Sequence, residues 1–247
     1  VKCSLVDSQS RARFLAAAAP HSGDWMLALP IASCGLRLDD EAVRVAVALR
    51  LGVTLCVPHP CHCGAQVDAF GQHAFICRRA PGKMQRHHVI NDVIARAFVS
   101  AGVPVAKEPS GLSRSDGKRP DGVTLIPWQA GKPLTWDVTV AATLAESYVS
   151  AAAASAGAAA ESAATRKCGK YANLPASYSF VPIALETLGP INSSAVLCLQ
   201  ELGRRISESS GEEREGLFLF QRLSVILQRF NSVLLHDSFA TRDNPDL

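Results

Sequence analysis

The segment Leu134–Ala141 places a single acidic residue, Asp137, inside an otherwise apolar run, LTWDVTVA. The length of this run and its Val, Thr and Trp content predict a β-strand. A carboxylate in such a strand usually costs stability unless it faces a cleft or a cation. We therefore expect Asp137 to face one or the other.

A second acid, Asp121, stands at the start of the preceding predicted strand, in the sequence RPDG at 119–122. Two acids on adjacent strands can converge on one point, and hard oxygen ligands at such a point suit Mg²⁺. A structural alternative stays open, because Pro-Asp-Gly is also a common turn and the Asp137-x-Thr139 sequence can cap a bulge.

Hydrolysis of a phosphodiester needs a cation on the non-bridging oxygens, an aligned water and help for the charge that develops. In the standard pattern a lysine lies two residues after the second acid, but Thr139 holds that position here. Lys167 and Lys170, at the end of the next predicted helix, are the candidate substitutes, and the phenol of Tyr171 can also touch a phosphate. Glu108, which ends the strand before the Pro-Asp strand, is a third candidate carboxylate.

The N-terminal part of the chain is predicted to be helical through residue 55. Its clearest helix covers 38–51, where Val43, Val47 and Leu51 stand at helical spacing. Asp39 or Asp40 is its predicted cap, and Gly52 follows its end.

The order of the later elements indicates the fold class. We predict a helix at 84–100, strands at 103–107, 122–126 and 134–141, an Ala-rich helical stretch at 142–172, a strand at 178–185 and two closing helices. This order predicts an α/β or α+β domain with a mixed sheet between helices.

Local signals refine the prediction. The Gly- and Pro-bearing link at 127–133 suits a hairpin-like turn. Pro182 favours an edge or a bulge for its strand. Ser210 and Glu213 form a candidate capping box for the last helix.

A short segment rich in Cys and His, residues 56–80, precedes these elements and cannot bury much core by itself. Cys61, Cys63, His73 and Cys77 offer the four soft or borderline ligands that tetrahedral Zn²⁺ requires. Since all four positions would be filled by protein, the zinc would be structural. Cys56, His59 and His62 are spare candidates, and a loop with buried free thiols is the alternative.

The basic residues cluster, although the net charge is only +3. Both clusters lie beside the predicted sites, as phosphate contacts would, but either can also be a solvated face. One cluster consists of Arg78, Arg79, Lys83, Arg86, His87 and His88, and the other of Arg114, Lys118 and Arg119.

The sequence contains no signal peptide, no apolar run long enough to span a bilayer and no Gly-rich nucleotide motif. We therefore expect an intracellular protein without a nucleotide cofactor. The chain begins with Val1, so we expect it to be a fragment of something longer.

The motifs occur in one order that resembles a known family. They are the Cys/His set at 61–77, a basic helix with His87, His88 and Asn91, the KEP sequence at 107–109, RPD at 119–121, DVTV at 137–140 and K-x-x-K-Y at 167–171. This order resembles the C-terminal part of site-specific non-LTR retrotransposon reverse transcriptase proteins, in which a zinc knuckle precedes a restriction-like, PD-(D/E)XK endonuclease. The resemblance covers roughly residues 56–190.

The resemblance implies a nuclear nickase that cuts one strand of double-stranded DNA and leaves a 3′-hydroxyl to prime reverse transcription. It implies that Asp121 and Asp137 bind Mg²⁺ or Mn²⁺, with Lys167 or Lys170 catalytic and Glu108 accessory. It divides the chain into a helical connector (1–55), a zinc knuckle (56–83) and an endonuclease domain (84–247). No Tyr-x-Asp-Asp motif is present, so polymerase activity and contact with element RNA would belong to another portion.

Two alternatives remain open from the sequence. One is a decayed nuclease fold that binds DNA or RNA without cleaving it. The other is a cellular repair or junction-resolving nuclease on the same fold, which would prefer branched DNA to a sequence-specific duplex. Fold alone does not separate these possibilities.

Overall fold

The structure is a computed structural model that describes residues 7–112 and 117–239, so Arg114 lies outside the described residues. The helices are α1 (Ser8–Ala18), α2 (Asp24–Leu27), α3 (Asp40–Leu51), α4 (Gln72–Ile76), α5 (Gly82–Ser100), α6 (Glu146–Ala154), α7 (Ala158–Lys170), α8 (Ser193–Ser210) and α9 (Glu215–His236). The strands are β1 (His59–Pro60), β2 (Gln66–Val67), β3 (Val105–Lys107), β4 (Gly122–Thr124), β5 (Leu134–Ala141) and β6 (Ser179–Glu186). No described helix is both long and apolar enough to cross a membrane.

The main sheet is mixed, in the order β3-β4-β5-β6. Strand β4 runs antiparallel to both β3 and β5, whereas β6 lies parallel to β5. Helices α6 and α7 connect β5 to β6. The mixed α/β architecture predicted from the sequence is therefore confirmed. Pro182 lies on the edge strand β6, as predicted, opposite Asp137.

The two faces of β5 pack against different helices. Leu134, Trp136 and Val138 belong to the main hydrophobic cluster, which α5, α8 and α9 complete. On the opposite face, Ala141 packs with the buried alanines of α7. Because side chains alternate across a strand, Asp137 shares the α7 face. The sheet therefore lies between two helical layers, and its carboxylate faces the thinner one.

Turn and break residues explain where several elements end. The 127–133 link forms a tight hairpin in which Ala130 and Gly131 have positive φ and the amide of Lys132 donates to Gln129 O at 2.9 Å. The Ala-rich stretch divides into α6 and α7 because Gly157 turns the chain with a φ of 79°. One long helix was predicted there, so the break is a correction.

The helix predicted at 38–51 is confirmed as α3, and Asp39 caps it as expected. The apolar residues that stand at helical spacing in it, Val43, Val47 and Leu51, are exposed. Helix α3 carries apolar residues on most of its circumference, so spacing alone does not select the buried face, which is formed by Ala42, Val45, Ala46, Ala48 and Leu49.

The capping box predicted for the last helix is wrong. Ser210 is the last residue of α8, and Gly211 ends that helix with a φ of 78°. Helix α9 starts later, at Glu215, without a side-chain cap. The sequence signal fails because the serine belongs to the preceding helix.

Helix α9 connects the parts of the chain. It packs against α2, α3, α4, α5 and α8. Its Leu234 and Leu235 share a hydrophobic cluster with Val45 of α3 and Cys61 of the Cys/His segment. Residues that follow α9 continue this contact, since Ser238 Oγ lies 2.9 Å from His59 Nε2. The predicted divisions near 56 and 84 stay predictions.

Position 122 has no room for a side chain, because the indole ring of Trp136 occupies that space. A Cβ at position 122 would lie 2.0 Å from Cζ2 of this fully buried ring. We expect Gly122→Ala to lower the free energy of unfolding by about 1–3 kcal/mol, as overpacking does, in a denaturant titration. Gly169→Ala is the matched control, because nothing lies within 4 Å of a Cβ there. Equal effects of the two changes would contradict this packing.

Candidate functional site

Asp137 is the most buried carboxylate of the predicted site, with a side chain that is only 3% exposed. Its Oδ1 accepts a hydrogen bond from Lys167 Nζ, and its Oδ2 accepts from the Tyr171 hydroxyl. Lys170 Nζ also donates to Oδ2, at 3.3 Å. Lys167 and Lys170, in the last turn of α7, thus supply positive charge at Asp137, and Tyr171 adds a neutral hydrogen bond.

The packing of α7 explains how its lysines reach the sheet. Ala159, Ala160, Ala163 and Ala164 pack with Ala141 and Ala184 of the two parallel strands. Such small side chains let the helix approach the sheet closely. Lys167 and Lys170, three residues apart in the last turn, therefore lie on one side of the helix and reach the same carboxylate.

Asp121 lies beside Asp137 through the antiparallel pairing of β4 with β5. Its amide donates to Trp136 O at 2.9 Å, and its Oδ2 accepts from the amide of Val138 at 2.5 Å. The same oxygen lies 2.9 Å from His87 Nε2 of α5. The hydrogen bond to Asp121 raises the pKa of His87, and the nearby charge of Asp137 adds to this effect.

Asn91 fixes the backbone of this region. Its Oδ1 accepts from the Trp136 indole at 2.8 Å, and its Nδ2 donates to Asp121 O at 3.2 Å. The sequence singled out Asn91 only through the family resemblance, and left His87 open as a helix-surface residue. Their spacing of four residues on one helix was the available signal that both face the same side.

Glu108 takes a different position from the other candidate carboxylates. Its amide donates to Asp121 O at 3.0 Å, but its half-exposed carboxylate pairs with Arg119. This guanidinium lowers the pKa of Glu108. Glu108 has a positive φ of 48°, which turns the chain out of β3. An accessory role for Glu108 stays a prediction.

Thr139 follows Asp137 by two residues on the same face of β5, and it is partly buried. It has no charge to offer at the position where the standard pattern has lysine. Positive charge near Asp137 comes from Lys167 and Lys170 instead. We use the name acid–lysine cluster for Asp121, Asp137, Lys167, Lys170 and Tyr171.

Glu186 anchors the opposite end of α7 and was not predicted from the sequence. Its Oε1 accepts from the amides of Ala159 and Ala160, each at 3.0 Å, at the helix N-terminus. The residue is fully buried, and burial raises the pKa of its carboxyl group. Glu186 therefore holds the start of the helix whose end carries Lys167 and Lys170.

The second candidate site is the Cys/His cluster, formed by Cys61, Cys63, His73 and Cys77. Their ligand atoms all lie within 4.8 Å of one another. Cys61 Sγ lies 3.8 Å from Cys77 Sγ, and Cys63 Sγ lies 3.1 Å from His73 Nε2. The prediction that these four residues meet is confirmed, and three thiols with one imidazole are a donor set that could hold Zn²⁺.

Two thiols of the Cys/His cluster, those of Cys61 and Cys63, have pKa values that are shifted in opposite directions. The amide of Ala65 is the main cause that lowers the pKa of Cys63 to about 6. Burial is the main cause that raises the pKa of Cys61 to about 11. A bound cation would stabilise all three thiolates, because the metal ligand is the deprotonated sulfur.

The spare candidates do not join this cluster. His59 bonds Val57 O and Ser238, and the Cys56 thiol donates to Asp68 O at 3.4 Å. His62 lies close to Cys61, with 3.7 Å between Nδ1 and Sγ, but its Nε2 lies 3.3 Å from Arg79 O. The hairpin β1–β2 and the short helix α4 thus select four ligands from seven candidates.

No model of a known protein family matches this chain, and no curated protein matches it either. The interpretation of both clusters therefore depends on their geometry and on the chemistry of their side chains.

Removal of one ligand tests the Cys/His cluster. We expect Cys63→Ala to lose zinc from the purified chain and to lower its melting temperature, because the segment has little core of its own. Cys56→Ala is the matched control, since this thiol lies outside the cluster. Metal content and thermal unfolding, with and without a chelator, are the measurements. Equal zinc content in both variants would contradict the assignment.

Glu186 gives a pH prediction. Its folded-state pKa is raised, so its contribution to stability is fully present below the unfolded pKa of about 4.3 and is lost as pH rises through the folded value. Relative to wild type, Glu186→Gln should therefore gain stability progressively as pH rises from acid to neutral. Chemical unfolding across this range checks the trend, with the exposed Glu213→Gln as control. A difference that does not change with pH would contradict it.

Proposed function

We propose that this chain is a metal-dependent endonuclease that cuts DNA at the acid–lysine cluster. The observation that carries the proposal is that Asp137 contacts Lys167, Lys170 and Tyr171. The second acid, Asp121, accepts from the amide of Val138, the residue next to Asp137. Two carboxylates beside two ammonium groups suit the hydrolysis of a phosphodiester, which needs a metal ion and a positive group near the developing charge.

The element order supports the same class of enzyme. A helix, α5, precedes three antiparallel strands, and the crossover helix α7 leads into a parallel fourth strand. This order agrees with the mixed sheet between helices that the sequence predicted, and the PD-(D/E)XK class is proposed on that basis. Strands β4 and β5 supply the acids and α7 supplies the lysines, so each part of the core contributes to the cluster.

Each residue has a proposed role. Asp121 and Asp137 would bind Mg²⁺ or Mn²⁺, which polarises the phosphoryl oxygens and lowers the pKa of a bound water. Lys167 and Lys170 would stabilise negative charge on the phosphate as the bond to the leaving oxygen breaks. Tyr171 orients Asp137 by donating to Oδ2, and its buried position suits orientation better than a direct phosphate contact.

We further propose that the nuclease serves a non-LTR retroelement and nicks one strand of nuclear duplex DNA. The order of motifs in the sequence supports this, together with the Cys/His cluster that precedes the sheet. In this role the product has a 3′-hydroxyl end. Such an end is extended directly by a DNA polymerase, whereas a 3′-phosphate is not.

A binding module without cleavage is the second candidate function. Both oxygens of Asp137 are already hydrogen bonded to protein cations or to Tyr171, which favours a structural ion-pair site. A buried carboxylate with such partners can be retained for structure alone. This alternative predicts salt-sensitive DNA binding and no product.

Nicking of supercoiled plasmid tests the proposal. Wild type is expected to nick with Mg²⁺ or Mn²⁺ and to stop when a chelator is added. Asp137→Asn should abolish nicking, and Lys167→Met should lower the rate by about 100-fold or more, as loss of a charge-stabilising group does. Glu213→Gln, an exposed acid remote from the cluster in sequence, is the control.

Nicking that persists in a folded Asp137→Asn variant would contradict the proposed nuclease function. DNA binding without any product in wild type would favour the binding module. Preference for branched DNA over a linear duplex would favour the junction-resolving nuclease.

A further inference from the structure

A cavity of about 450 Å³ lies between the Cys/His segment, α5, the end of β5 and the helices α6 and α7. Its volume falls in the range of pockets that hold small organic ligands. Its wall combines apolar, polar and basic side chains, among them Phe75, Ile76, Arg78, Lys83, Thr139 and Tyr148. We call it the basic cavity.

Three cations lie close together at the basic cavity. Burial lowers the pKa of Lys83, and the nearby charges of Arg86 and Arg78 lower it further. Arg86 is only 4% exposed, and its Nη1 has no hydrogen-bond partner among the described residues. Arg86 therefore supplies charge from beneath the surface, and Lys83 and Arg78 line the cavity itself.

The negative charge nearby does not balance these cations. Within the described ranges, 7–112 and 117–239, none of the three forms an ion pair with a carboxylate. The exposed Glu146 also lines the cavity. A zinc ion with three thiolates would carry about one negative charge, so an excess of positive charge remains. An anion is the expected ligand.

The basic cavity continues the acid–lysine cluster along two elements. Thr139 follows Asp137 on the same face of β5, about 6–7 Å further along the strand. Lys83 precedes His87 by one turn of α5, about 5–6 Å, and His87 contacts Asp121. One strand of duplex DNA carries a phosphate about every 3.4 Å of helix axis. The cavity is therefore one or two nucleotides from the proposed metal ligands.

We propose that the basic cavity binds the DNA backbone beside the scissile phosphate, with Lys83 and Arg78 on a neighbouring phosphate and the adjoining nucleotide against Tyr148. This inference rests on the proposed nuclease function and assigns it a substrate subsite. Arg78 directly follows Cys77, so a metal in the Cys/His cluster would fix the position of Arg78 at the subsite.

DNA binding in an uncleaved complex tests the subsite. The full chain carrying Asp137→Asn binds a fluorescent duplex, and anisotropy gives the affinity over a series of salt concentrations. Arg78→Ala and Lys83→Met are each expected to weaken binding by about fivefold or more at low salt and to reduce the log–log salt slope by about 1. Lys132→Ala, in the exposed turn before β5, is the matched control and should change neither quantity appreciably.

The outcomes separate this inference from the proposed function. Affinity and salt slope equal to those of the Lys132→Ala control, in both folded variants, would overturn the subsite. If wild type nicks plasmid, and Arg78→Ala and Lys83→Met bind normally in the Asp137→Asn chain and nick normally in the otherwise wild-type chain, the nuclease is supported and the subsite is contradicted. If wild type never nicks plasmid but both variants lose affinity for DNA, the phosphate subsite is supported and the nuclease function is contradicted.

Discussion

The contact between Asp137 and the end of α7 is the interaction on which the architecture depends. A buried carboxylate needs compensating charge and hydrogen bonds, and here Lys167 and Lys170 provide the charge while Tyr171 donates a further hydrogen bond. These partners join β5 to the crossover helix that leads to β6, so the parallel half of the sheet forms around them. Removal of one partner from a buried ion pair typically costs about 3–5 kcal/mol. The groups proposed for chemistry are therefore also groups that hold the fold together.

Carboxylates fix both ends of α7, the helix that carries the lysines. Glu186 accepts from the amides at the start of the helix, and Asp137 pairs with the lysines at its end. Both arrangements agree with the helix dipole, which favours negative charge at the N-terminus and positive charge at the C-terminus. The alanines between these ends allow close contact with the sheet. These contacts give the helix one defined position on the sheet and place both lysines at Asp137.

Patterns local in sequence were predicted well, and the lysines named from the sequence, Lys167 and Lys170, do contact Asp137. Other contacts between remote residues were not predicted. Strand β5 has the bounds that its composition predicts, and the Cys/His ligands meet as their short spacing suggests. His87 meets Asp121 across 34 residues, and no periodicity reports such a contact. The failed cap at Ser210 shows the limit of a local rule. The serine fits the capping pattern, but helix α8 continues through it and α9 begins later.

Helix α9 carries none of the motifs, yet it contacts the N-terminal helices, the Cys/His segment and α5 and α8. Its last residues also reach back, since Asp237 accepts from the amide of Gly82 at 2.8 Å and the Phe239 ring stacks on His59. A boundary drawn around the motifs alone, near residue 190, would remove this shared surface. The smallest piece of the chain that can be expressed in folded form therefore extends well beyond its recognisable sequence motifs.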